Sequence, residues 1–485
     1  MNYEVLKPFW GSIKFVLAAG SLLLAPLGAF SQGTTASTMK LSTPPQFKQA
    51  APVAESTAAI SKVHTEMRLL SDSFISPDFE ATQKTSYQFV GAQLRTDPFA
   101  DEVLKMDVSG AVALGAPLLN YLNIAELYTQ SRFGDDSTLY IGRKRINWNE
   151  MDARWDLGVW EPLFKWNPLS PERQGLSGLF WQVDRPYYTM TLFGSPLYIP
   201  DQGPSFEIEN GSFVKGNPWF RRPPDSIRIW QEATGIDYQF KKPDETQIVL
   251  QNSFGMKISV GDPQSLRAQL SYAYKPANQL AIGYEGNLDV GQLKGVVDLQ
   301  PQVFYHSLMG ADVSYRIRNF RMGMSGTLDR PSKDEIFEEK WTHPVFTDAT
   351  LLSPYMEWSN ARWGVSVQHL EIFGGEVTEQ GELANPNRAA LMTRYPYRQA
   401  QQIALMTNYA FKKDRRLISK LSLTHSEKND FDLIRFSARF RLSGLWSLMG
   451  EMQMVKAGPL TVENQNEIAQ FVNNDRLMVG VAYVF

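Results

Sequence analysis

Arg476-Leu477-Met478-Val479-Gly480-Val481-Ala482-Tyr483-Val484-Phe485 closes the sequence with a strict alternation. Leu477, Val479, Val481, Tyr483 and Phe485 fall on one face, and Arg476, Met478, Gly480, Ala482 and Val484 on the other, which is the period of a β-strand. One face is apolar and aromatic-ended; the other is small or polar. A soluble domain seldom finishes on an exposed aromatic row. The closing strand of a membrane barrel needs such a row for lipid, with both edges paired.

This stretch resembles the C-terminal signal of Gram-negative outer-membrane β-barrels, and the resemblance implies a barrel of the porin-like superfamily. Composition agrees. The 485 residues include no cysteine and carry a net charge of -3, which excludes a disulfide scaffold, a cysteine-anchored lipoprotein and a strongly basic nucleic-acid binder. Hydrophobic residues make up 43% while mean hydropathy is -0.29, so apolar residues are plentiful but not gathered into membrane-crossing helices beyond the first thirty or so positions. Aromatics at 12% suit the girdles that a barrel places at both membrane interfaces.

Lys7 and Lys14 precede an apolar core from Phe15 to Phe30 that ends in Ala29-Phe30-Ser31. This pattern predicts a secretory signal peptide over 1–31, cleaved near Ser31. The core is too short for an anchor and carries Gly20, Pro26 and Gly28. Residues 32–84 read as a periplasmic leader, disordered or partly helical. Thr, Ser, Ala, Pro and Gln dominate to Thr57, and a short helix is expected from Ala58 to Leu70 with Ile60, Val63, Met67 and Leu70 on one side. A lumen plug or a partner-binding segment is the alternative use.

From Thr85 to Phe485 the chain falls into alternating segments of roughly ten residues, the length of a tilted membrane strand. Leu266, Ala268, Leu270, Tyr272 and Tyr274 alternate with Arg267, Gln269, Ser271 and Ala273; after Lys275-Pro276-Ala277-Asn278, Leu280, Ile282 and Tyr284 suggest the returning arm of a hairpin. Similar pairs turn at Asn319 and at Ser443-Gly444. The expected fold is all-β, a transmembrane antiparallel β-barrel of about eighteen strands, with sixteen to twenty as the bracket. Counting back from Phe485 puts long connections near 457–474, 374–399 and 330–346 outside and short turns inside. Counting forward from Thr85 instead places 147–173 and 197–226 on the periplasmic side. Either one strand is miscounted in the first half, or those stretches fold into the lumen.

Ile141-Gly142-Arg143-Lys144-Arg145-Ile146-Asn147-Trp148-Asn149-Glu150 is similar to the strand-to-loop passage of large porin-like barrels, where a Gly-Arg pair precedes an Asn-Trp and the loop folds inward. The sequence has Asn149 where that pattern leads one to expect glycine. The resemblance implies a narrowing loop. Glu150, Asp152 and Asp156 are the candidate acids of that loop for lining the pore. Inward positions carry Arg267, Arg316, Arg318, Arg321, Lys420, Arg435, Arg439 and Arg441 against few carboxylates. Arginines opposite an acidic loop would set a transverse field that favours anions. Arg221 and Arg222, among rings and prolines, form a further candidate for carboxylate, phosphate or sugar.

The expected function is passive or facilitated passage of small polar, in this register anionic, solutes across the outer membrane, with lipid and solute as partners, a homo-oligomer compatible with the reading, and no cofactor, metal or nucleic acid. Two alternatives stand beside it. One is a closed barrel acting as a surface receptor, envelope scaffold, or polysaccharide attachment or export component. The other is a barrel lipid hydrolase using His369 or His425, which would need a serine on an adjacent strand.

Overall fold

The computed structural model describes residues 63–76, 84–96, 104–214, 216–229, 232–241, 245–289, 291, 294–334, 336–382, 384, 392–412, 415–458 and 467–485. All lie in one unit spanning Pro45–Phe485. The expected signal peptide and most of the expected leader lie outside the described residues.

Eighteen strands form one sheet. The first nine are β1 Val63–Phe74, β2 Ser86–Thr96, β3 Leu104–Ala113, β4 Tyr121–Phe133, β5 Ser137–Lys144, β6 Leu176–Asp184, β7 Tyr188–Ser195, β8 Ser253–Gly261 and β9 Leu266–Pro276. The second nine are β10 Tyr305–Ile317, β11 Phe320–Pro331, β12 Ala349–Ser359, β13 Trp363–Gly374, β14 Gln399–Lys412, β15 Arg415–Ser426, β16 Phe431–Arg441, β17 Trp446–Ala457 and β18 Arg476–Val484. Each pairs antiparallel with the next, and β18 returns to β1 from Glu66↔Val484 to Phe74↔Arg476. The sheet is therefore a closed barrel. The Phe485 amide donates to the Thr65 carbonyl at 2.9 Å, so the seam is sewn to the final residue. Arg476 and Asp72 bridge it by a buried ion pair at 2.6 Å.

Alternation sorts the side chains as expected. On β9 Leu270 is 66% exposed, while its neighbours Gln269 and Ser271 are buried in the interior. Across β13 to β17, Val367, Ile403, Leu423, Ile434 and Met454 stand in one outward row, directly paired strand to strand. One step toward the long connections, the paired row is His369, Gln401, His425, Asp432 and Lys456. An apolar exterior ending in a polar row is what hydrocarbon and then headgroups require.

Two expectations are corrected. The segment expected to begin with a helix, at its described positions 63–70, is strand β1, so the barrel begins at Val63 and not at Thr85; positions 58–62 lie outside the described residues. A helical stripe of four residues is outweighed by two complete backbone ladders, to β2 and to β18, and Met67 and Leu69 alternate with Glu66 and Arg68 well enough to supply them. This added strand also removes the parity conflict. The long connections 145–175 and 196–252 now lie on the same side as those before β12, β14 and β18, opposite the tight turns and the β1–β18 ends. The second correction concerns the arm after Asn278. Ala281–Asp289 pairs with Lys294–Gln302 in a separate four-stranded sheet, completed by Ser226–Ile229 and Glu232–Phe240, and the true partner of β9 is β10. Period-two alternation serves either sheet equally, so it could not choose between them.

A chain beginning at Val63 should refold into a heat-modifiable, detergent-resistant barrel, whereas one beginning at Ile75 should yield none, as read by gel mobility before and after boiling. Leu270→Arg should cost about 2–4 kcal/mol in urea unfolding from lipid vesicles.

Candidate functional site

The lumen is narrowed by the connection 145–175. Its two ends stand side by side where Lys144 pairs with Leu176, and the Gly175 amide donates to the Ala125 carbonyl on β4 at 2.9 Å. Arg145 anchors the entry by bonding Asp107 at 2.9 Å and Glu126 at 3.0 Å. The chain then lies along the inner wall. The Trp148 carbonyl accepts from Gln269 at 2.8 Å and from Ser271 at 2.5 Å, both on β9. Asn149, at the position where the pattern suggested glycine, is the N-cap of helix α1, Glu150–Trp155, with extended backbone at φ -154. Its Oδ1 accepts from the Asp152 amide and its Nδ2 donates to Asp312 Oδ1 at 3.0 Å, so asparagine does work at both ends that glycine could not.

The wall completes the helix terminus: Asp312 accepts from the Glu150 amide at 3.1 Å and Ser325 Oγ from the Met151 amide at 3.0 Å. Irregular backbone at membrane depth is tolerated where such partners exist. Trp155 donates to Ser353 at 2.9 Å and Trp160 to Thr327 at 3.1 Å. Gly310 makes room for Trp160, whose ring would stand 2.8 Å from a Cβ there. Further on, Asn167 reaches Gln453 on β17 at 2.8 Å, so the connection touches opposite walls. Trp148, Met151, Trp155, Leu157 and Trp160 are buried and pack with inward Phe180, Phe193, Leu308, Leu351 and Leu370.

The three acids of this loop have separate fates. Glu150 joins Arg154 at 3.2 Å and Arg321 at 3.2 Å, while Glu357 takes Arg154 at 2.6 Å. Burial would raise the Glu150 carboxyl, but Arg154 and Arg321 overcome it and hold it down to about 2. Asp152 turns back on its own loop and accepts from the Val159 and Trp160 amides at 3.0 and 3.1 Å. Asp156 ends α1 in the left-handed region at φ 50 and faces Arg435 and Lys420. Burial pushes its carboxyl up, and those two cations pull against that. Of the expected acids, Glu150 is therefore paired with Arg321 on the wall, Asp156 faces Arg435 and Lys420, and Asp152 bonds its own loop.

The basic candidates are dispersed. Arg435 faces Asp156 and donates to the Leu169 carbonyl at 3.4 Å. Arg439 is ion-paired with Glu66, which also holds Arg68 at 2.6 Å. Arg267 donates to Ser259 at 3.1 Å and Arg316 to Gln264 at 3.4 Å, both facing inward near the tight turns. Arg318 is exposed in the turn itself, with φ 53, and does not line the pore. Arg221 and Arg222 are tied elsewhere. Arg221 bonds Asn474 at 2.7 Å and lies 4.6 Å over the Phe471 ring, and Arg222 approaches Asp225 at 3.7 Å.

Beside Asp156 a gap is lined by Leu157, Lys165, Tyr397, Arg435 and Glu467. Lys420 and Ser437, paired across β15 and β16 on the inward face, are both exposed, so the lumen below that gap is open to water. The sequence reading missed Arg154, whose i,i+4 spacing from Glu150 was its visible signal. Tyr397, Lys165 and Glu467 gave none, because each comes from a different connection.

On the outer face, His425 Nδ1 lies 2.8 Å from Asp432, and His369 is 3.6 Å from Glu371. The adjacent Ser426 faces the lumen and donates to the Gln399 carbonyl at 2.5 Å. The residues paired with His425 on the two adjacent strands are Gln401 and Asp432, neither of them a serine.

No protein-family model matches the chain, and none of the curated proteins matches it. Among solved structures it is similar to Acinetobacter baumannii OccAB3, at 10% identity and TM-score 0.42 over 88% of this chain and 100% of that one. Pseudomonas aeruginosa OpdL aligns at 11% identity and TM-score 0.41, over 88% and 99%. A loop-deletion mutant of OmpT, an outer membrane protein of Vibrio cholerae, aligns at 8% identity and TM-score 0.36, over 87% and 99%.

Because Glu150 ionises more readily folded than unfolded, its contribution to holding α1 is complete above the ordinary carboxylate value near 4.5 and is lost as pH falls toward about 2. The shift corresponds to roughly 3 kcal/mol. Glu150→Gln should lower the unfolding midpoint at neutral pH and flatten the change in tryptophan fluorescence between pH 5 and pH 2 that the unaltered protein is expected to display.

Proposed function

We propose that the chain is an outer-membrane porin-like channel, exported with its signal peptide removed near Ser31, through which small polar and preferentially anionic solutes diffuse. The observation that carries this reading is the exposed inward pair Lys420 and Ser437 below the gap between Asp156 and Arg435. Water-filled space with Lys420 and Arg435 on the wall, and with Asp156, Glu467 and the Asp201-paired Lys165 facing them from the loops, has a transverse field, and the wall side, which carries only cations, draws anions. The apolar exterior supplies the second support, since hydrocarbon is the medium that would cover it. Eighteen strands enclose more space than wall side chains fill, so the loop sets the width.

A second reading is a closed barrel that serves as a receptor or envelope scaffold. The packing of Trp148, Trp155 and Trp160 against Leu308, Leu351 and Leu370 favours it, because this core fills part of the lumen. The two readings part in a planar bilayer. Stepwise conductance with an anion-biased reversal potential in a salt gradient is expected, and Arg435→Gln combined with Lys420→Gln should reduce the anion-to-cation permeability ratio about threefold or more. Silence from a correctly folded barrel would eliminate the channel reading and leave the closed one.

A further inference from the structure

Four neighbouring strands carry a second basic cluster, on the turn side of α1 and apart from Asp156 and Arg435. Pairing places Arg267, Ser314, Gly323 and Tyr355 in one inward row across β9 to β12. The next row toward the turns runs Arg316, Arg321, Glu357 across β10 to β12. Glu150 and Glu357 are taken up by Arg154 and Arg321. Asp312, one row toward the loop, accepts from Asn149, the Glu150 amide, Gln269 and Ser325. Among the described residues no carboxylate lies within ion-pair distance of Arg267 or Arg316, whose recorded side-chain partners are the neutral Ser259 and Gln264. Two half-buried guanidinium groups therefore face the lumen with charge left over.

Tyr355 adds a donor. It is 3% exposed, its ring sandwiched between the wall and the Arg154 guanidinium, which lies 3.6 Å from the ring centroid. A Cβ at Gly323 would stand 2.5 Å from both Cζ and the hydroxyl, so the ring lies across that glycine, in the direction of Ser314 and Arg267. The hydroxyl is buried and has no hydrogen-bond partner among the described residues. A buried phenol without a partner is costly unless something fills its place. Ser314 Oγ already accepts from Arg321 at 3.3 Å.

We propose that Arg267, Arg316 and the Tyr355 hydroxyl form an oxyanion-binding station on the turn-side wall, which takes a carboxylate or a phosphate group. Guanidinium forks match the paired oxygens of either group, and a phenol hydroxyl supplies a third bond. Glu150 and Glu357 keep Arg154 and Arg321 in place behind it. The station rests on the porin-like reading only for the route by which a solute would reach it.

The test uses the full chain folded in detergent and labelled with phenylglyoxal, with modification at each arginine followed by peptide mass mapping. Inorganic phosphate and acetate are the probes, against chloride at matched ionic strength. Phosphate should reduce labelling of Arg267 and Arg316 about threefold or more, while Arg318 in the exposed turn reacts unchanged. Protection by both probes supports a general oxyanion station, and protection by phosphate alone supports a phosphoryl ligand. Tyr355→Phe, which retains the ring stacked on Arg154, should raise the half-protecting phosphate concentration about tenfold. Equal labelling of Arg267 and Arg316 with and without either probe would overturn the proposal, and unchanged protection in Tyr355→Phe would remove the hydroxyl from it. The labelling needs no conductance, so a silent barrel with protection intact would sink the channel reading and leave the station standing.

Discussion

Inside hydrocarbon no water is available to a free backbone amide or carbonyl, and everything else in this molecule follows from meeting that demand without an edge. Seventeen of the ladders join strands that are neighbours in the sequence of the barrel; the eighteenth must join its first and last. The β1–β18 pairing, extended by the Phe485 amide on Thr65, meets it. Without β1 two long strands would be left with bare edges in lipid, which outweighs any local helical preference of its sequence.

The same demand explains the loop inside the barrel. A connection that leaves the wall at Lys144 carries backbone groups into a narrow space, and each needs a partner there. The wall supplies Gln269, Ser271, Asp312 and Ser325 to the backbone, and Ser353 and Thr327 to the indoles of Trp155 and Trp160, all at inward positions that would otherwise face water. Packing of tryptophans comes second and depends on these bonds for its register. What remains unfilled lies toward β15 and β16, where Lys420 and Ser437 are exposed.

Much of the barrel could be read from alternation, because a strand with lipid on one side and water on the other must show a period of two. The closing strand, the turn at Asn319 and the side on which the long connections lie were all legible in this way. β1 was not, since its apolar residues also fit a helix, and the arm after Asn278 was not, since a sheet outside the barrel obeys the same period. The site was legible only in composition. Arginines and acids were visible as types, but which acid meets which base depends on where α1 lies against β10 to β12. Asp152 and Asp156 differ by one helical turn, and one bonds its own backbone while the other faces Arg435. Nothing in their spacing distinguishes them.

The buried Arg476–Asp72 pair sits at the loop-side end of the seam, and the Glu66–Arg439 pair reaches across its turn-side end. Together they act as fiducial marks. If β18 slid against β1 by one two-residue step, every side chain would keep its facing, lipid outside and lumen inside, so hydrophobicity could not detect the error. Both ion pairs would part, however, leaving buried Asp72 without its cation and Glu66 with Arg68 alone. The pairs therefore proofread the shear of the barrel, and with it the circumference into which the loop must fit.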